Sequence, residues 1–175
     1  DGATPATKVL GSDEIQPTYL TVWQGALYFL GGPTGDRELW RYDGVNPPVE
    51  VLDLLDPGSG SPAFLTSFGA ELCFRATPAL SVGAELVCWD GATAPDVYDL
   101  RAGAAGSTPD DLTVIGDRLY FGALVDASGR AVGFLDVQDP AEMKGGLDQE
   151  SLPNFLAAAR GAAERSGMTL ADIDF

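Results

Sequence analysis

The side chains with which this sequence could do chemistry are few in kind: two cysteines, Cys73 and Cys88, and 26 aspartates and glutamates, with no histidine anywhere. Without an imidazole, Ser-His-Asp and Cys-His catalysis are excluded, and the commonest transition-metal ligand is missing. A lysine or carboxylate base remains chemically open. Two carboxylates about 5 Å apart would suit a retaining glycosidase, but among so many acids no spacing selects a pair, and the sequence reads as that of a non-enzyme. A carbohydrate-active enzyme stays as the remote alternative.

Hard-cation chemistry is the other use for carboxylates, since calcium takes aspartates and backbone carbonyls in tight turns. The nearest loops are Gly35-Asp36-Arg37 and Asp126-Ala-Ser-Gly-Arg130. Neither has the dense alternating acids of a calcium loop, so solvated turns are the simpler reading, with calcium as the only cofactor left open. The Gly-Gly pairs at 31 and 145 lack the helix and lysine that a phosphate loop requires.

Ten basic residues against 26 acidic ones give a net charge of −16 and a pI near 4.1. Binding to nucleic acid or to an anionic membrane needs clustered Lys and Arg, so both are disfavoured. No apolar run approaches the length of a membrane span. The sequence opens on Asp1 rather than Met, which reads as a processed or trimmed start.

The elements that must position these residues come from a threefold internal repeat. Pro17-Thr-Tyr-Leu-Thr-Val-Trp, Pro62-Ala-Phe-Leu-Thr-Ser-Phe and Pro109-Asp-Asp-Leu-Thr-Val-Ile follow one another at steps of 45 and 47 residues. That period belongs to the four-stranded blades of propellers. Alternating apolar residues between turn signals predict strands at 20–23, 26–30, 38–43 and 49–54, then 65–68, 71–75, 85–90 and 97–100, then 112–115, 118–122 and 131–136. The fourth strand of the last unit is missing, and Thr7-Lys-Val-Leu10 stands where it would be supplied. The expectation is an all-β, propeller-type domain over residues 1–137 whose N-terminal strand completes the last blade and hides an open edge. Phe29, Phe74, Phe121 and Trp40 read as sheet-to-sheet core, because blades are covered on both faces.

Asp56-Pro-Gly-Ser-Gly-Ser-Pro62, Glu38-Leu-Trp-Arg-Tyr-Asp-Gly44 and Gly83-Ala-Glu-Leu-Val-Cys-Trp-Asp-Gly91 carry a resemblance. They look like the ELWxxDG repeats, often labelled hyalin-like, of secreted bacterial proteins, and the likeness covers about residues 5–137. It implies an extracellular β-propeller and no shared activity. The third unit departs from it, with Ala131-Val132-Gly133 in place of Glu-Leu-Trp.

Three blades are too few for an ordinary ring of about four to eight. Two chains closing a six-bladed ring, a longer propeller of which this is a piece, and an open arc capped by the tail are all open. Repeat alignment places Cys73 opposite Cys88, as Tyr28 faces Arg41 and Tyr120 faces Phe134, which suits a cross-strand disulfide. Buried free thiols or a reactive or metal-binding pair are the alternatives. A disulfide would fit an oxidising, extracellular or cell-surface location.

After Asp139-Pro140 the pattern changes to a linker, an amphipathic helix opening at Ser151 and an acidic, apolar end, forming an appendage over residues 138–175. This tail reads as a helix docked on the propeller or on a partner, or as an uncleaved secretion signal. The resulting expectation is a non-catalytic binding or adhesion module. Asp36, Tyr42, Asp43, Trp89, Asp90 and Asp126 are its candidate loop contacts to a protein or glycan. A structural subunit docked through its tail or blade edges, as a homodimer or larger assembly, is the alternative.

Overall fold

The computed structural model describes residues 8–9, 11, 14–124 and 130–136. Eleven strands form three antiparallel sheets. Sheet 1 comprises β1 (Thr18–Trp23), β2 (Ala26–Gly31), β3 (Glu38–Tyr42) and β4 (Val49–Leu52). Sheet 2 comprises β5 (Ala63–Phe68), β6 (Glu71–Ala76), β7 (Glu85–Trp89) and β8 (Asp96–Tyr98). Sheet 3 comprises β9 (Asp110–Ile115), β10 (Arg118–Leu124) and β11 (Arg130–Asp136). Each sheet is a meander, with neighbours in sequence order. The eleven strands expected within the three repeats are present, within a few residues at their ends, whereas the N-terminal strand expected at residues 7–10 is not seen at Lys8 and Val9.

The hairpins follow from their turn residues. Gln24 and Gly25 link paired Trp23 and Ala26 with φ of 45° and 75°, the two left-handed residues of a type I′ turn. Gly69 and Gly116 open the matching two-residue turns of the other sheets at φ 58° and 64°. Primed turns match the strand twist and fix register, so each repeat sets its own pairing locally.

The sheets stack in chain order. Leu72, Phe74, Ala76, Val87 and Trp89 of sheet 2 pack against Trp23, Ala26, Tyr28 and Leu39 of sheet 1. Its opposite face, with Cys73, Leu86 and Cys88, packs against Leu119, Phe121 and Ala123 of sheet 3. Every residue of β7 is therefore buried. At about 1.5–3 kcal/mol for each large apolar side chain removed from water, these two layers supply the main cohesion. The first strands β1, β5 and β9 run side by side through the stack.

The described residues form an arc of sheets rather than a closed ring, and sheet 3 has three strands among them. Lys8 and Val9 lie outside the strands, while Thr7 and Leu10 fall outside the described residues, as do Asp126 and the whole 138–175 appendage with its expected helix. Gly11 lies beside Pro47 and Pro48 in the connection between β3 and β4. Among the described residues no helix is long and apolar enough to cross a membrane.

Candidate functional site

A backbone irregularity recurs at the same position in all three sheets. Tyr19, Phe64 and Asp111, the second residues of β1, β5 and β9, have φ of 53°, 58° and 53°. Three residues upstream of each, Gln16, Ser61 and Thr108 repeat the conformation at 48°, 50° and 45°. The pairing register slips at each of these strand starts, as in a β-bulge. Non-glycine residues in this region cost of order 1–3 kcal/mol and persist only where the surroundings enforce them. Bulges re-aim side chains and gather beside binding sites.

Here they aim a row of side chains along one end of the adjacent first strands. The Tyr19 and Phe64 rings stand 5.5 Å apart at 48°. The Arg75 guanidinium lies over the Phe64 ring, 4.9 Å from its centre. Tyr19 and Asp111 are exposed, and Phe64 and Arg75 half-buried. The threonine two residues on braces the bulge: Thr66 Oγ1 donates to Phe64 O at 2.9 Å and Thr113 Oγ1 to Asp111 O at 2.9 Å. Thr21 Oγ1 instead donates across to Leu65 O at 2.7 Å. Tyr19, Phe64 and Arg75 form one cluster and Asp111 holds the matching backbone position on β9; aromatic rings, a guanidinium and a carboxylate suit stacking on an apolar ring face with hydrogen bonds at its edge.

The carboxylates of the Glu-Leu motif have different work. Glu38 and Glu85 head β3 and β7 and are buried. Glu38 accepts the Leu54 N–H at 2.9 Å and the Gly60 N–H. Glu85 accepts the Leu100 N–H at 3.2 Å, the Ser107 N–H at 2.7 Å and the Ser107 hydroxyl. Each thus staples the connection leading to the next sheet. Burial pushes both carboxyls above their ordinary range, against the pull of these donors.

Asp43 and Asp90 close the turns after β3 and β7. Asp43 accepts from Val45 N, Asn46 N and Asn46 Nδ2 at 2.8–2.9 Å, which holds its carboxyl down to about 2. Asp90 accepts from Ala92 N, Thr93 N and the Thr93 hydroxyl, and is lowered likewise. Trp89 is buried, donates its Nε1–H to Thr93 O at 2.9 Å and packs 6.0 Å from Trp23. Tyr42 is half-buried on β3, and Asp36 is exposed beside the acidic Glu50, whose carboxyl it helps to raise after burial itself. Of the six loop candidates, Asp43, Asp90 and Trp89 are engaged within their own repeats, and Asp126 lies outside the described residues.

Cys73 and Cys88 pair in register and are bonded, with S–S 2.06 Å and Cα–Cα 4.1 Å. Tyr28 opposite Arg41 and Tyr120 opposite Phe134 hold the same register. Among the described residues the one grouping with metal-ligand spacing is Glu71 with these two cysteines, and sulfurs bonded to each other are not thiolate donors. Trp40 Nε1 is buried without a hydrogen-bond partner among the described residues. The bulge row was missed in the sequence because nothing in Thr18-Tyr-Leu or Ala63-Phe-Leu departs from a strand pattern; its signal was the proline before each, Pro17, Pro62 and Pro109. The chain matches no family model, no curated protein and no solved structure.

Proposed function

We propose that this protein is a non-catalytic, extracytoplasmic binding module of propeller type that takes a glycan at the row Tyr19, Phe64, Arg75 and Asp111. The observation that carries the reading is the recurrence of an enforced left-handed residue at one position of three adjacent first strands. A single bulge is an accident of packing, whereas three in line present one continuous surface. The four-stranded sheets, stacked in chain order with their first strands together, support the propeller assignment. The disulfide supports an oxidising compartment. That Glu38, Glu85, Asp43 and Asp90 are engaged by backbone donors favours binding over catalysis.

A glycan array probed with the protein, with and without calcium, tests this. Binding is expected that weakens roughly three- to tenfold in Tyr19→Ala, the scale of one aromatic contact, and also in Asp111→Ala. Failure of every glycan to bind, or undiminished binding by both variants, overturns the reading. Calcium should make no difference if the carboxylates act as hydrogen-bond acceptors.

A further inference from the structure

The repeat exposes what is missing at the two ends of the stack. On sheet 1, Leu20 is 56% exposed, whereas Leu65, its counterpart one repeat on, is 7% exposed because sheet 1 covers it. Leu27 and Trp40 on the same face are half-buried, where their counterparts Leu72 and Val87 are fully buried. On sheet 3, Ile115 is 63% exposed against 3% for Trp23 and Phe68 at its position, and Val132 is 68% exposed against 0% for Leu39 and Leu86. Sheet 1 thus bears the receiving face of an internal joint, open at Leu20, Leu27 and Trp40 while Phe29 beside them is buried with Ile15, and sheet 3 bears the uncovered inserting face.

We propose that these two faces meet between two copies of this chain, sheet 3 of each on sheet 1 of the other, closing a six-sheet ring. The internal joints are the template. Thr21 Oγ1 donates to Leu65 O across the first joint at 2.7 Å, and Thr66 Oγ1 lies 3.5 Å from Leu112 O across the second. The next step in that series is Thr113 Oγ1 to Leu20 O of the second copy, with Ile115 taking the place of Trp23. Rings hold about four to eight blades. One copy supplies three sheets among its described residues, too few for a ring, and two copies supply six, within the range. Head-to-tail contacts that close by a two-fold rotation give a discrete dimer. None of Leu20, Leu27, Trp40, Ile115 and Val132 is charged, so the net charge of −16 opposes contact only at longer range, which salt of about 0.15 M screens beyond about 8 Å. This inference rests on the propeller reading and extends it: the dimer sets Asp111 of each copy beside Tyr19 of the other, continuing the bulge row around the ring.

Light scattering on the full chain at about 0.15 M salt should give twice the 18.2 kDa chain mass. Leu20→Lys and Ile115→Lys should each give the single-chain mass, with melting transitions showing that both fold. Mixing the two variants should restore a dimer, because one joint then pairs an intact sheet 3 with an intact sheet 1. A monomeric parent protein overturns the inference, the faces then being covered by this chain's own remaining segments or by another protein. Sensitivity to one face alone points to a symmetric face-to-itself dimer and overturns it as well, as does an open ladder of masses. A monomer that still binds glycan through Tyr19 would sink the dimer and leave the binding module standing.

Discussion

Sheets 2 and 3 are built on the same repeat but are held together differently. In sheet 2, Glu85 staples the outgoing connection, the Cys73–Cys88 bond locks the central hairpin, and Val87 fills the space opposite Phe74. In sheet 3, alanine at 131 stands in the glutamate's place, Tyr120 pairs with Phe134, and Gly133 lies under the Phe121 ring. The difference teaches that the motif residues serve the joint to a following sheet rather than the sheet that contains them. In β11 an alanine takes the carboxylate's position and a glycine lets the Phe121 ring lie over the backbone.

Removing the staple should have the largest effect. Glu85→Ala strands the buried Ser107 amide and the part-buried Leu100 amide at about 1–3 kcal/mol each, for a loss of roughly 4 kcal/mol in urea unfolding, while Ala131→Glu should bring no gain. If the two substitutions shift stability by similar amounts, the distinction between the sheets fails. Reducing the disulfide, which closes a span of 15 residues, should cost about 3 kcal/mol and lower the melting temperature, again through sheet 2 alone.

Gly133→Ala probes the other side of the comparison. An added Cβ would lie 2.6 Å from the buried Phe121 ring, so a loss of about 1–3 kcal/mol is expected, although the counterpart positions carry Trp40 and Val87 without difficulty. A pH series sharpens the role of the glutamates. Their folded values lie above the ordinary 4.5, so their contribution is complete below about pH 4.5 and is drawn down as pH rises through the folded values. The parent protein should therefore gain stability over the Glu38→Gln, Glu85→Gln double variant as pH is lowered from neutral toward the ordinary carboxylate value. The smallest effect belongs to the exposed turns. Asp43 is held low, so its contribution is present above its ordinary value of 3.8 and lost as pH falls toward about 2; Asp43→Ala should lower the melting temperature slightly at neutral pH and not at all in strong acid.

Most of this architecture was legible in the sequence because its determinants are local. Period-two alternation and two-residue turns placed the strands, and alignment of Cys73 with Tyr28 and Tyr120 located the disulfide register without reference to any long-range contact. The site was not legible for the opposite reason. Glu38 and Asp43 look alike as acidic residues in a motif, yet one is buried beneath a connection and the other caps a solvent-facing turn, and only the path of residues 54–60 separates them. Tyr19 carries no mark of its left-handed backbone. That conformation accompanies the register slip at the strand start, and the ring it meets, Phe64, lies 45 residues away in the chain.

The bond between Cys73 and Cys88 also governs how the molecule yields to force. It joins two strands of one sheet rather than one sheet to its neighbour, so tension applied to the chain ends passes through the sulfurs and bypasses the segment between them. Sheets can be peeled apart in turn, but about 50 Å of contour length stays hidden inside the middle one until a reductant reaches it. Stretching single molecules before and after reduction would reveal that length as an added step in the unfolding of the central sheet.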